Sequence, residues 1–324
     1  MRHLKLLTGL AVVFAAACGS DNGGDKDAGG ADGMVPVNLT HEQLIEACVR
    51  LYACNVERKP RIQDCVNYFY DAQLGFGYRR LYETLFACAN KGQGDCKAIR
   101  ECLGYTSRMK TGECDSSFTP TCEGTVAKSC DLVGGGLTRA VDCARAGLKC
   151  AVRATGTGTK DAVCTIDTCN KDLFKPECRA DQLLTCVGGA IQMNDCGALQ
   201  LQCRDPGIGL CEGTGRSCSS ATTTPKCDGS KVVDCIQNYL SEIDCSKEPG
   251  KKKCDPNSSP IKCVGAGNEC DTNYQTTFDE CQGDSLVVCI DGFKRTFDCK
   301  KMGFLGCETA TTYGANCKAE PIYD

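Results

Sequence analysis

The chain of 324 residues has no tryptophan and only two histidines. Without tryptophan it lacks the commonest platform for stacking a sugar ring. His3 lies in the N-terminal leader, so His41, at the start of a helical pattern, is the single candidate for a Ser-His or Cys-His dyad. No two cysteines are separated by two residues, which excludes the usual zinc-knuckle, thioredoxin and haem-attachment spacings. A Gly-Lys-Ser/Thr phosphate loop is absent too. Basic residues cluster only at Lys251-Lys252-Lys253, which reads as a solvated loop, and removing Arg2 and Lys5 with the leader leaves 35 Lys and Arg against 41 Asp and Glu, a charge of −6. Such a balance is a poor footprint for nucleic acid, which demands clustered cations on phosphates. Beyond the leader no run is apolar enough to span a bilayer.

What the chain does have is cysteine, 31 residues of it. An odd number in a chain this rich in cysteine calls for one residue with a separate role. Cys18 is that residue. It follows a basic start with Arg2 and Lys5, a short apolar run from Leu6, and Phe14-Ala15-Ala16-Ala17. The apolar run is too short to span a hydrocarbon core and has the form of a processing signal. Residues 1–17 are therefore expected to be removed and Cys18 to carry lipid, the membrane being a partner through that group. The remaining thirty cysteines are expected to be oxidised outside the cytosol. Residues 18–38 are rich in Gly and Asp and read as a flexible tether of roughly 25 Å r.m.s. reach. Asp21, Asp25, Asp27 and Asp32 do not make an EF-hand there: counted from Asp25, the twelfth position, where a closing carboxylate is needed, is Pro36. No cofactor motif and no metal set appear.

The thirty cysteines fall into five consecutive groups of six. The first, in residues 39–108, lies in helical patterns. Thr40-His41-Glu42-Gln43 has the form of a capping box, and Leu44, Ile45, Cys48, Val49, Leu51 and Tyr52 follow on one face. Further helical stretches carry Ile62 to Phe69, Leu81 to Cys88, and Cys96 to Leu103. Five residues lie between Cys48 and Cys54 and five between Cys96 and Cys102, a near-mirror spacing. Of the fifteen possible pairings it favours a nested one, Cys48–Cys102, Cys54–Cys65 and Cys88–Cys96.

From about residue 109 a period of about fifty residues sets in, predicting four tandem repeats at 109–168, 169–217, 218–269 and 270–324. Seven residues separate the second and third cysteines of every unit, and an aspartate precedes every fourth: Asp142, Asp195, Asp244 and Asp298. In the last unit, Leu286-Val287-Val288 and Phe293 to Phe297 flank Asp291-Gly292, a strong type I′ hairpin signal. Strand alternation then places Cys289 opposite Lys294 and Cys299 opposite Asp284, on different faces, so these two cysteines are not bonded to each other. Cys281 and Cys289, eight apart, are expected to share a face. The fold class is thus a small disulfide-rich multi-module chain: an N-terminal α-helical six-cysteine module and four β-hairpin-based repeats. A lone hairpin is barely stable, so the disulfides must supply what the thin cores lack.

The four aspartates invite a catalytic or metal reading. Asp142 leads to Gly147 and Asp298 to Gly303, which is an N-cap followed by one helical turn and a glycine stop. Each also sits in its own unit, whereas acid/base pairs need carboxylates within about 10 Å. The expected role is structural.

The Ala-Ala-Ala-Cys18 end, the Asp/Gly tether, the helical six-cysteine module and the repeated Cys-x-Gly and Asp-Cys-x3-Gly patterns resemble the cysteine-rich outer-surface lipoproteins with six-cysteine modules of some Gram-negative soil bacteria. Ala180 and Gln200 replace the two glycines in the second repeat. The resemblance implies export to the outer membrane or cell surface. The expected function is a non-enzymatic structural or binding module, a braced stalk offering four repeats as an extended face to an envelope or extracellular protein or glycan. An inhibitor of extracellular hydrolases is the alternative, and an Asp/Glu-dependent hydrolase a third.

Overall fold

The computed structural model describes residues 39–54, 61–70, 76–105, 112–131, 136–154, 159–204, 210–271, 279–310 and 314–320. The leader, Cys18 and the tether lie outside them. Helix α1 (His41–Ala53) opens with a complete capping box: Gln43 N–H donates to Thr40 Oγ1 (3.2 Å), and Thr40 N–H donates to Gln43 Oε1 (3.0 Å). Helices α2 (Ile62–Tyr70), α3 (Phe76–Lys91) and α4 (Cys96–Cys102) follow. Leu44, Ile45, Ile62, Val66, Phe69, Leu85, Phe86 and Ile99 form their common core.

The nested pairing is not what this module forms. Cys48 bonds Cys65, Cys54 bonds Cys96, and Cys88 bonds Cys102. Near-mirror spacing along the chain does not become a mirror in space. Cys48 and Cys65 face each other from the inner sides of packed helices α1 and α2, and Cys54 caps α1 where α4 begins. The short 92–95 connection turns α4 back along α3. Cys96, just past that turn, is then out of reach of Cys88, which meets Cys102 at the far end of α4.

Every repeat is a three-stranded antiparallel sheet, a short 3₁₀ or turn segment, and a two-stranded hairpin. In repeat 4 the strands are Glu280–Gln282, Ser285–Ile290 and Phe293–Asp298, then Gly306–Ala310 and Gly314–Lys318. The expected register holds: Cys289 is opposite Lys294, and Cys299 N–H donates to the Asp284 carbonyl. Cys289 bonds Cys270 and Cys299 bonds Cys317. Cys281 and Cys289 do not share a face. The chain reverses at Gly283-Asp284, so Cys281 lies in a separate strand opposite Leu286, on the face away from Cys289. All five six-cysteine groups, helical and β alike, join first to third, second to fifth and fourth to sixth.

The first strand of each sheet follows from the glycine two places after the second cysteine. Gly124, Gly229 and Gly283 have φ near +60°, and the next residue does not, the pattern of a type II′ turn. Ala180 is forced into the same region at φ +54°. A Cβ added at Gly124, Gly229 or Gly283 meets nothing within 4 Å, so the penalty there is purely conformational. Ala180→Gly is expected to raise stability by about 1 kcal/mol, and Gly283→Ala to lower it by a similar amount. Shifts in urea midpoint measure both. An unchanged midpoint in both variants would show that the turns carry no strain.

The repeats join by one rule. The N–H of each first cysteine donates to a carbonyl at the end of the second hairpin turn: Cys114 to Gly136, Cys169 to Gly189, Cys218 to Asn238 and Cys270 to Gly292, at 2.8–3.3 Å. The segments entering repeats 1, 2 and 3 add β-bridges beside the outgoing strand, as in Thr168 with Ala190. The junctions are therefore part of the sheets.

The four repeats are not an extended array. Repeat 4 returns to the helices: Leu286, Val288, Ile290, Met302, Phe304 and Ala315 join the same core as α1 and α2. Arg50, 5 % exposed, donates to the Met302 carbonyl at 2.9 Å, and Arg295 pairs with Glu42 at 3.2 Å. Repeat 1 packs against the same module through Ala127, Val141, Ala146 and Leu148, with Arg139 donating to the Leu103 carbonyl. The helices supply the apolar area that thin hairpins cannot find in one another.

Candidate functional site

Three parts of the chain meet at the type I′ turn of repeat 4. Asp291 occupies the first turn position at φ +53° and is 5 % exposed. Its N–H donates to Gln63 Oε1 of α2 at 2.6 Å, and its carbonyl accepts from Gly267 N–H at 3.0 Å. A side chain at Gly265 would collide with the Asp291 backbone, so glycine is required there for repeat 3 to dock. Gln63 is held in turn by Asn67 Oδ1 at 2.8 Å.

Above this junction lies a cleft of about 410 Å³. One wall is the α2 stripe Gln63, Asn67 and Tyr70, spaced four and three so that they share a helix face, with Arg61 just before the helix. The opposite wall is the repeat 3 hairpin, Lys252–Asp255 and Lys262–Gly265, and Asp291 lies at their junction. Lys252 is thus not on a solvated loop. It is in a strand, half-buried, with Glu248 at 3.3 Å. Lys251 lies over the Phe293 ring at 5.8 Å, and Lys253 is exposed. Arg61 is paired with Asp64 at 3.1 Å. Lys262 is exposed, and no ion pair engages it among the described residues.

Behind Asp291 sits His41. Its Nε2 is 3.5 Å from Asp291 Oδ2, and its Nδ1 is 3.4 Å from the Tyr70 hydroxyl, with the two rings stacked at 5.9 Å. Burial lowers the His41 pKa, outweighing Glu42, and burial raises that of Asp291, outweighing Lys252. Burial accordingly favours the neutral forms of both partners. The lowered His41 stabilises the fold above its unfolded pKa and loses that contribution as pH falls. The raised Asp291 does the opposite and loses its contribution as pH rises. Distances of 3.4 and 3.5 Å are long for a proton relay, and the geometry is that of a packed junction.

The carboxylates of the four recurrent aspartates are each used within their own repeats. Asp142 Oδ1 accepts from Ala144 N–H at 3.0 Å and from the Thr125 hydroxyl, and Gly147 ends that turn at φ +66°. Asp195 accepts from Ala198 N–H, with Gln200 closing the turn at φ +56°. Asp244 accepts from Ser246 and Ser230, which hold its carboxyl below the ordinary range, the Ser246 hydroxyl contributing most. Asp298 accepts from Lys301 N–H, the main cause of its lowered pKa. All four carboxylates accept from the segment after the sheet, and Asp142 and Asp244 also tie it to the first turn, through Thr125 and Ser230.

In the sequence Gln63 is an ordinary polar residue and Asp291 a turn residue, because the contact between them spans 228 positions. Among the described residues no group of three or more His, Cys, Asp or Glu could hold a metal ion, and no helix is long and apolar enough to cross a membrane. The chain matches no protein-family model, no curated protein and no solved structure.

Proposed function

We propose that this is a lipid-anchored, non-enzymatic binding module of the cell envelope, tethered through Cys18 and presenting the cleft between α2 and repeat 3 to an envelope or extracellular ligand. The observation that carries the reading is the cleft itself, whose polar walls come from separate modules and are held by bridges on each side, including Cys48–Cys65 behind α2 and Cys245–Cys263 in repeat 3. Preorganised walls lose little entropy when a ligand arrives. The Ala-Ala-Ala-Cys18 motif and the Asp/Gly tether support outer-membrane or cell-surface placement, as in the lipoproteins the chain resembles.

The inhibitor alternative would draw on Leu173, 78 % exposed between Cys169 and Cys178. Its segment is a tight turn, in which the N–H groups of Leu173 and Phe174 both donate to the Asn170 carbonyl. A protease cleft takes an extended strand, so this loop does not favour that reading.

Labelled fatty acid is expected to enter the wild-type chain and not Cys18→Ser. Incorporation into the variant would sink the anchor. Detergent-extracted protein on a support, challenged with solubilised envelope and secreted material, should retain a saturable ligand. A blank from folded, fully oxidised protein would overturn the binding reading.

A further inference from the structure

We infer that the cleft between α2 and the repeat 3 hairpin binds a saccharide unit bearing a single carboxylate, a uronic acid residue within a glycan. The inference rests on the binding-module reading and names its site and ligand class. The lining selects against the other classes. Amide side chains of Gln63 and Asn67 and the hydroxyl of Tyr70 are hydrogen-bonding groups in a lining where polar surface outweighs the apolar surface of Val264 and Cys263, which suits vicinal hydroxyls and disfavours a lipid or an apolar peptide.

Charge counting sets the anion. Of the three cations on the walls, Arg61 already faces Asp64 and Lys252 already faces Glu248. Lys262 is the cation left over. Asp291, also in the lining, is shielded from bulk water and adds either no charge or one negative charge. The lining thus carries at most one surplus positive charge, which admits a monoanionic carboxylate and opposes a phosphate dianion. Lys252, Gln63 and Asn67 are fixed by their own partners, so Lys262 is the adaptable group that reaches the ligand's carboxylate.

The test uses the full-length protein in detergent, titrated by calorimetry with an oligogalacturonate and with its neutral methyl ester. The acid is expected to bind saturably, and the ester about tenfold more weakly. Lys262→Ala should weaken the acid by about tenfold and leave the ester unchanged, since a hydrogen bond to a charged group is worth roughly that factor. Lys262 is exposed, so the variant folds, and an intact mass showing all bridges formed checks it. Asn67→Ala should weaken acid and ester alike. Equal binding of acid and ester, no effect of Lys262→Ala, or no binding of either probe overturns the inference. The envelope capture separates the two readings: a ligand retained equally by wild type and Lys262→Ala leaves the binding module standing and removes this site from it.

Discussion

Replacing Cys54 and Cys96 together with alanine is expected to cost about 4 kcal/mol of stability. The bridge closes 42 residues, the longest disulfide loop described, and chain entropy scales with the logarithm of that length. Both cysteines are also buried, at 3 % and 5 % exposure, so loss of their sulfurs leaves a void between the end of α1 and the start of α4. A domain's whole stability is typically about 5–15 kcal/mol, and a loss of this size brings much of the helical module close to unfolding. Because repeats 1 and 4 share their core with that module, the effect should reach them as one cooperative transition. The corresponding change at Cys114 and Cys130, a loop of 16 whose sulfurs are only partly buried, is expected to cost about 3 kcal/mol and to act locally. Urea unfolding of both double variants measures this. A Cys54/Cys96 variant within 1 kcal/mol of wild type would show that the α1–α4 bridge does not hold the hub together.

Raising the pH from 4 to 7 is expected to remove on the order of 4 kcal/mol through one residue, Asp279. This carboxyl of repeat 4, 8 % exposed, is buried near the backbone N–H groups of Ile62, at the start of α2, and of Cys289. Burial raises its pKa to about 7, outweighing the two N–H groups and Arg61, from an unfolded value near 3.8. Between those values the native state keeps a proton that the unfolded chain has lost. Stability from this group is therefore complete below about pH 3.8 and declines by about 1.4 kcal/mol per pH unit until pH passes 7. Asp279→Asn keeps the size of the side chain and cannot ionise, so it should flatten the profile and exceed wild type at pH 8. Denaturant midpoints from pH 4.5 to 8 decide the matter, and parallel wild-type and variant profiles would show that Asp279 is not the group responsible. Asp291 contributes with the same sign and His41 with the opposite one, and both remain in the variant, so the difference between profiles isolates Asp279.

These two effects differ in how far they could be seen beforehand. The capping box at Thr40, the type I′ turn at Asp291-Gly292 and the aspartates before every fourth cysteine were legible because each depends on residues within a few positions. The extra first strand of each sheet was not read from the sequence, although the glycine two places after the second cysteine in three of the four repeats takes the positive φ its turn needs. The helical module's pairing was not legible, because spacing says nothing of which helix faces which. Nor was the cleft: Lys252 reads as one of three exposed lysines, and Gln63 as an ordinary polar residue on a helix.

The sequence by itself determined the five groups of six cysteines, the repeat period, the hairpins and the caps, since all of these follow from short-range backbone chemistry. Only the tertiary structure decided that repeat 4 folds back on α1 and α2, that Asp279 is buried near the start of α2, and that Gln63, Lys262 and Asp291 line one cleft. The physical reason is burial. A hairpin of this size cannot cover its own apolar face, and which surface covers it depends on all five modules at once.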